Sequence, residues 1–253
     1  VLCAIVFCAI VAQGAAAQGT TAFTCKEKKE AGGVGFSRAH CTPADAVASG
    51  AKFEHVEIAN GVETEITGNN ENTGAETVGT SPGVLNAVIG GVGFENQCPT
   101  ISGTGTMANS LAGEEMIASG TGTITFSGCT VVKPVGQECK IKGGEVATAK
   151  IKVTTAGQTE PMFAKIEPAE GTTFGSITYE GCKTAGLNGV YSITGSIKTK
   201  PDGSTVKFTE AETTEQGTLK LGGQKAGIGG VGTLKGRKAG SGEAFTALGL
   251  TTK

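Results

Sequence analysis

Six cysteines carry the clearest chemistry in this chain. Cys25, Cys41, Cys98, Cys129, Cys139 and Cys182 follow an N-terminal segment that holds two more, Cys3 and Cys8. Zinc sites want close pairs such as CxxC, and no two of the six lie that near. An even set of thiols this far apart reads instead as three disulfides, if the chain passes through an oxidising compartment. Cys129 and Cys139 flank TVVKPVGQE, whose Pro134 and Gly136 suit a hairpin, so that pair is expected to bond. Cys25 with Cys41 spans the Gly-rich EAGGVG, which leaves Cys98 with Cys182 as a long-range staple.

Histidines and aspartates are few. His40 and His55 are the only histidines, and Asp45 and Asp202 the only aspartates. Either histidine could join Asp45 and a serine in a triad, but no spacing orients such a set. In KFEHVEI, alternation puts His55 beside Phe53 and Glu57 on an outer strand face, and His40 before Cys41 reads as a turn residue. Glu54, Glu57, Glu63, Glu65, Glu114 and Glu115 could supply the carboxylate pair of a glycosidase, yet no signature selects two of them.

Two glycine motifs lack their supporting context. Gly79-Thr80-Ser81-Pro82-Gly83 matches G-x-S-x-G, but Pro82 has no N–H for an oxyanion hole. A Ser-Pro-Gly turn is expected there. Gly227 to Gly232 matches G-x-G-x-x-G, but TLKGRKAGSG behind it cannot form the helix a dinucleotide site needs. No cofactor is implied.

The elements that would position these residues are strands. GTITFSG, EVATAKIKV and VETEIT alternate apolar with polar residues, the pattern of antiparallel sheet with one wet face. Asn60-Gly61, Gly143-Gly144, Pro201-Asp202-Gly203 and Gly222-Gly223 mark turns. Only Pro43 to Ala51, after Thr42 as N-cap and before the stop at Gly50, predicts a short helix. GTITFSGC ending at Cys129 is echoed by GSITYEGC ending at Cys182, and GGVGFSRAHC by GGVGFENQC. The Thr-x-Thr spacings in GTGTM and TGTIT fit the β-propensity of threonine. Gly217 to Gly242 is read as ordered edge strands, with Lys225, Lys235, Arg237 and Lys238 guarding the edge.

The expected fold is an all-β antiparallel sandwich, as one large or two small stapled domains. The regions are a signal peptide at 1–19, an N-terminal β region at 20–95, a central sandwich at 96–200, and Gly/Lys-rich strands at 201–253. Val1 to Ala12 is an unbroken apolar run, and Ala15 and Ala17 suit an A-x-A cleavage site. Because the chain starts with Val, the basic leading segment is expected to be missing. The run is shorter than the roughly 20 residues of a membrane span, and Phe7 before Cys8 does not suit a lipobox.

Cysteine order carries one resemblance. CPTISGTGT at Cys98, ITFSGC at Cys129, ECKIKGGEVATAKIKV at Cys139 and ITYEGC at Cys182 together resemble an uncharacterised family of exported proteins of soil actinobacteria. The resemblance covers the central third of the chain and implies an exported, β-rich class without a known activity.

Composition narrows the partners. A net charge of −2, with 17% charged residues, does not suit a nucleic-acid binder, which needs a basic surface. With no Trp and two Tyr, a sugar platform is weakened. The expectation is a non-catalytic structural or binding protein of the cell envelope or extracellular space, with an envelope glycan or protein as partner. Tyr179 and Tyr191 are its candidate binding surface, and a glycan hydrolase with paired Glu residues is the rival.

Overall fold

The structure, a computed structural model, describes residues 19–70, 81–156, 163–208 and 218–252. The expected signal segment therefore lies outside the described residues, apart from Gly19. Among the described residues there are 21 strands and three single 3-10 turns. The strands are β1 (Thr20–Glu27), β2 (Gly35–Phe36), β3 (Ala46–Val47), β4 (Phe53–Glu57), β5 (Thr64–Asn69), β6 (Ser81–Ile89) and β7 (Val92–Cys98). After them come β8 (Thr100–Ala112), β9 (Glu115–Ser127), β10 (Thr130–Lys133), β11 (Lys140–Ile141), β12 (Glu145–Ala147), β13 (Ile151–Ala156) and β14 (Phe163–Pro168). The chain continues through β15 (Thr173–Glu180), β16 (Gly189–Thr194), β17 (Ile197–Asp202), β18 (Thr205–Phe208), β19 (Lys220–Leu221), β20 (Gln224–Lys238) and β21 (Thr246–Thr252).

The fold is all-β and antiparallel, in keeping with the alternation in the sequence, and its sheet curls until its edges meet. Eight strands pair in a closed ring: β5 with β8, then β9, β13, β14, β17, β18, β20 and back to β5. A second curled layer runs β10–β7–β6–β20–β19–β16–β15–β11. The fifteen-residue β20 belongs to both, so its glycine-rich sequence lies at the centre of the sheet rather than at an edge. Small residues suit that place, because strands crowd both of its sides. A smaller sheet, β21–β1–β4–β2–β3, packs Phe23 beside the Cys25–Cys41 bond.

Three further local expectations differ from the structure. The predicted helix at Pro43 is one 3-10 turn, Pro43–Asp45. Ala46 then turns extended and β3 pairs with β2, so sheet pairing overrides helix propensity. Ser81, Pro82 and Gly83 open β6 instead of making a turn, while Gly79 and Thr80 lie outside the described residues.

The third correction concerns the disulfides. The Cys25–Cys41 bond forms as expected, but the others are Cys98–Cys129 and Cys139–Cys182, with Cα atoms 4.0 and 4.1 Å apart. TVVKPVGQE is not a hairpin. β10 pairs with β7, which sets Cys129 opposite Cys98, while β11 pairs with β15, which brings Cys139 to Cys182. Each cysteine bonds across the ladder it borders. The echoed GTITFSGC and GSITYEGC segments serve alike: each runs along a strand, turns at a left-handed glycine (Gly128 φ 69°, Gly181 φ 70°) and ends in a bonded cysteine.

Asn109 ties the smaller sheet to the ring. It is fully buried, and its Nδ2 donates to Thr21 Oγ1, Ala22 O and Ile58 O at 2.8, 2.9 and 2.7 Å. Its Oδ1 accepts from Ala22 N at 2.7 Å, so the whole amide is satisfied as a buried polar group must be.

Candidate functional site

The segments SGTGTM of β8 and SGTGTI of β9 alternate Gly with Thr, and the β8–β9 register places Gly105 opposite Gly122. Because alternate residues of a strand face opposite ways, the threonines turn outward and the glycines inward. Gly68 of β5 lies opposite Gly103 and belongs to the same inner surface. These strands press together so closely that a Cβ on Gly105 would run into the carbonyl of Thr121, and one on Gly122 into that of Thr104. One wall of the ring is therefore bare backbone.

The opposite wall carries side chains. Ile151 and Val153 of β13, Ala164 and Ile166 of β14, and Ile197 and Thr199 of β17 turn into the same space. An eight-stranded barrel is just wide enough to be filled by side chains or to hold one small ligand. With glycines along the wall made by β5, β8 and β9, this one leaves an open-sided cavity of about 160 Å³. Ile66, Ile124, Phe126, Val153 and Leu234 border it and stay only partly buried. A second space of about 60 Å³ lies in the other layer, and Ile124, Phe126, Ile197 and Ile228 border both.

Two buried polar atoms at these spaces lack hydrogen-bond partners. Thr199 is 1% exposed and borders the larger cavity, and its Oγ1 is unpaired. Asn96 borders the smaller one; its Nδ2 donates to Tyr179 Oη at 2.8 Å and Leu85 O at 3.3 Å, but its Oδ1 is unpaired. Thr233, which borders the larger cavity as well, donates its hydroxyl to Asn69 O at 3.4 Å.

The residues singled out in the sequence lie elsewhere. Tyr179 cannot serve as a surface platform: it is 1% exposed, packs against Phe94 and Tyr191, and burial pushes its hydroxyl pKa well above the usual tyrosine range despite the Asn96 hydrogen bond. Tyr191 is half-buried and donates to Gly186 O at 3.3 Å. Alternation could not distinguish them, because both follow the same strand pattern.

The two histidines stabilise loops. His40 Nδ1 is 3.0 Å from Ser204 Oγ, and Ser204 is fully buried where the β17–β18 turn docks onto the Cys41 loop. Both oxygens of the buried Asp45 are engaged, one by Arg38 at 2.6 Å and the other by Thr42 at 2.7 Å. His55 keeps the exposed strand position that alternation predicts, but its ring leans over the Cys25–Cys41 cluster, stacked on Phe23 (3.6 Å) and Phe36 (4.3 Å) with Nε2–H donating to Cys41 O. Burial against those rings lowers its pKa from the ordinary value, the hydrogen bond opposing.

The glutamates spread over the outer surface. Glu114 lies in the exposed β8–β9 turn and Glu115 opens β9 beside it, while Glu54 and Glu57 lie on exposed β4. Arg237 donates to Glu65 at 2.6 Å and holds its carboxyl below the usual range. A surface depression of about 280 Å³ is bordered by Glu63 and Lys152, a single carboxylate beside one cation.

No family model, curated protein or solved structure matches the chain. The cavity is therefore the feature that bears on function. Sequence reasoning passed over it because the threonines drew the attention; the glycines alternating with them were the signal.

Proposed function

We propose that this chain is an exported, non-catalytic binding protein whose barrel interior holds a small apolar molecule. The observation that carries this reading is the 160 Å³ cavity, which is kept open because glycine lines one of its walls. A dry apolar cavity of about 150 Å³ is enough to take benzene. Three disulfides among six described cysteines, and the apolar run before Gly19, support export. The resemblance to exported actinobacterial proteins points to the same class. Among the described residues, no helix is long and apolar enough to cross a membrane.

The outer face of the ring carries Thr104, Thr106, Thr121, Lys152 and Lys165, and the inner face is mainly apolar, with Thr199 and Thr233 as polar exceptions. That is the reverse of a membrane-spanning barrel with a polar lumen.

The rival hydrolase needs two carboxylates about 5–9.5 Å apart across a cleft, and the depression at Glu63 supplies one. The test pairs calorimetric titration with methylcyclohexane and a turnover screen against polysaccharides. Saturable uptake of one equivalent, with a raised melting temperature, is expected. Polysaccharide cleavage that vanishes on changing one Glu to Ala would overturn the reading in favour of the hydrolase.

A further inference from the structure

The cavity's chemistry narrows its occupant, on the assumption that the barrel interior is the binding site. Among the described residues, no charged side chain borders the larger cavity. An ion there would lose its hydration without a partner, at a cost far beyond what apolar contact returns. The occupant is therefore neutral.

Its size follows from the space. At about 160 Å³ the cavity admits one six-membered ring or a chain of similar bulk. The adjoining 60 Å³ is too small for a second ring, and Ile124, Phe126, Ile197 and Ile228 stand between the two.

Its polar group follows from Thr199. A buried hydroxyl without a partner costs stability, and water needs two to four polar partners to settle in a cavity. Ala164 lies opposite Thr199 in the ladder, and Ile166, Ile197 and Val206 border the same cavity, so water finds few polar partners there. Thr199 Oγ1 is covered in this structure, so the side chain must turn about χ1 to meet the hydroxyl of a ligand whose body then covers those side chains.

We infer that the barrel binds a neutral, monohydroxylated apolar molecule about the size of one six-membered ring, with its hydroxyl on Thr199 Oγ1. Thr199 fixes the orientation of the molecule, and the glycine wall admits its bulk. The ligand class is that of small alicyclic or aromatic alcohols.

The test titrates the disulfide-intact chain and its Thr199→Val variant with cyclohexanol, methylcyclohexane and cyclohexanecarboxylate. Deleting the hydroxyl should weaken cyclohexanol about tenfold, the scale of one hydrogen bond. Methylcyclohexane should bind the two proteins within about twofold, and the carboxylate should bind neither. Thr199→Ser, which keeps the hydroxyl, should retain cyclohexanol; Thr199→Ala repeats the deletion should the valine variant not fold. An equal loss for both neutral probes, or none for either, overturns the role of Thr199 but leaves the interior as a binding site. Failure of every probe to bind the wild-type chain overturns both. Carboxylate bound more tightly than alcohol overturns the neutral class.

Discussion

Ala164 and Thr199 are register partners between β14 and β17, and both side chains turn into the barrel cavity. The pair places the smallest side chain of that wall beside an unpaired hydroxyl. Bulk and polarity at the cavity can thus be changed separately, one residue at a time.

Ala164→Leu should fill part of the cavity. Filling adds apolar contact in place of a void, so stability should rise by about 1 kcal/mol. Binding of methylcyclohexane should weaken at least tenfold. Urea denaturation and calorimetry on the same preparation measure both effects. A filled variant that binds as well as the wild type would place the ligand elsewhere.

Gly105→Ala should act in the opposite way. Its Cβ would meet the Thr121 carbonyl, a backbone atom that the β8–β9 ladder holds in place. The strands must separate, at a cost of about 3 kcal/mol. The midpoint of chemical denaturation reads this directly, and a neutral substitution would show that the hairpin is looser than the register implies.

Much of the fold was legible in the sequence. Alternation in EVATAKIKV and GTITFSG marks β12, β13 and β9, and Cys25–Cys41 follows from proximity along the chain. The other two bonds were not legible, because they depend on which strands pair. β10 and β11 are neighbours in sequence but join ladders with β7 and β15, and only the closed topology reveals it. Tyr179 was misplaced for a related reason: one strand face looks outward until a second layer covers it. The cavity was visible in principle, since Gly at every inward position of SGTGT removes the side chains that would fill a barrel.

Peptide mapping without reductant should recover Cys98 with Cys129 and Cys139 with Cys182. Replacing Cys139 and Cys182 together by serine opens a link across 43 residues, which should cost about 4 kcal/mol by loop entropy. The core is thin in aromatics, at 5% of the chain, so that loss should lower the melting temperature sharply. An unchanged melting curve would show that the core suffices alone.

His55 should make stability fall in mild acid. Its pKa in the folded chain lies below the ordinary 6.5, because burial against Phe23 and Phe36 disfavours the charged ring. The unfolded chain then binds the proton more readily, so stability rises with pH in that window. The contribution is complete above about pH 6.5 and is lost as pH falls through the lowered value. Denaturation midpoints for the wild type and His55→Gln between pH 7.5 and about 4.5 test this. The wild type should lose more than the variant across that range, and parallel curves would contradict it.

The most direct test of the binding site is the position of a bound probe. With saturating cyclohexanol, intermolecular NOEs should connect its ring protons to the methyl groups of Ala164, Ile166 and Val153, the residues that border the cavity. NOEs confined to outer-face residues such as Lys152 or Lys165, with none to Ala164, would contradict a ligand site inside the barrel.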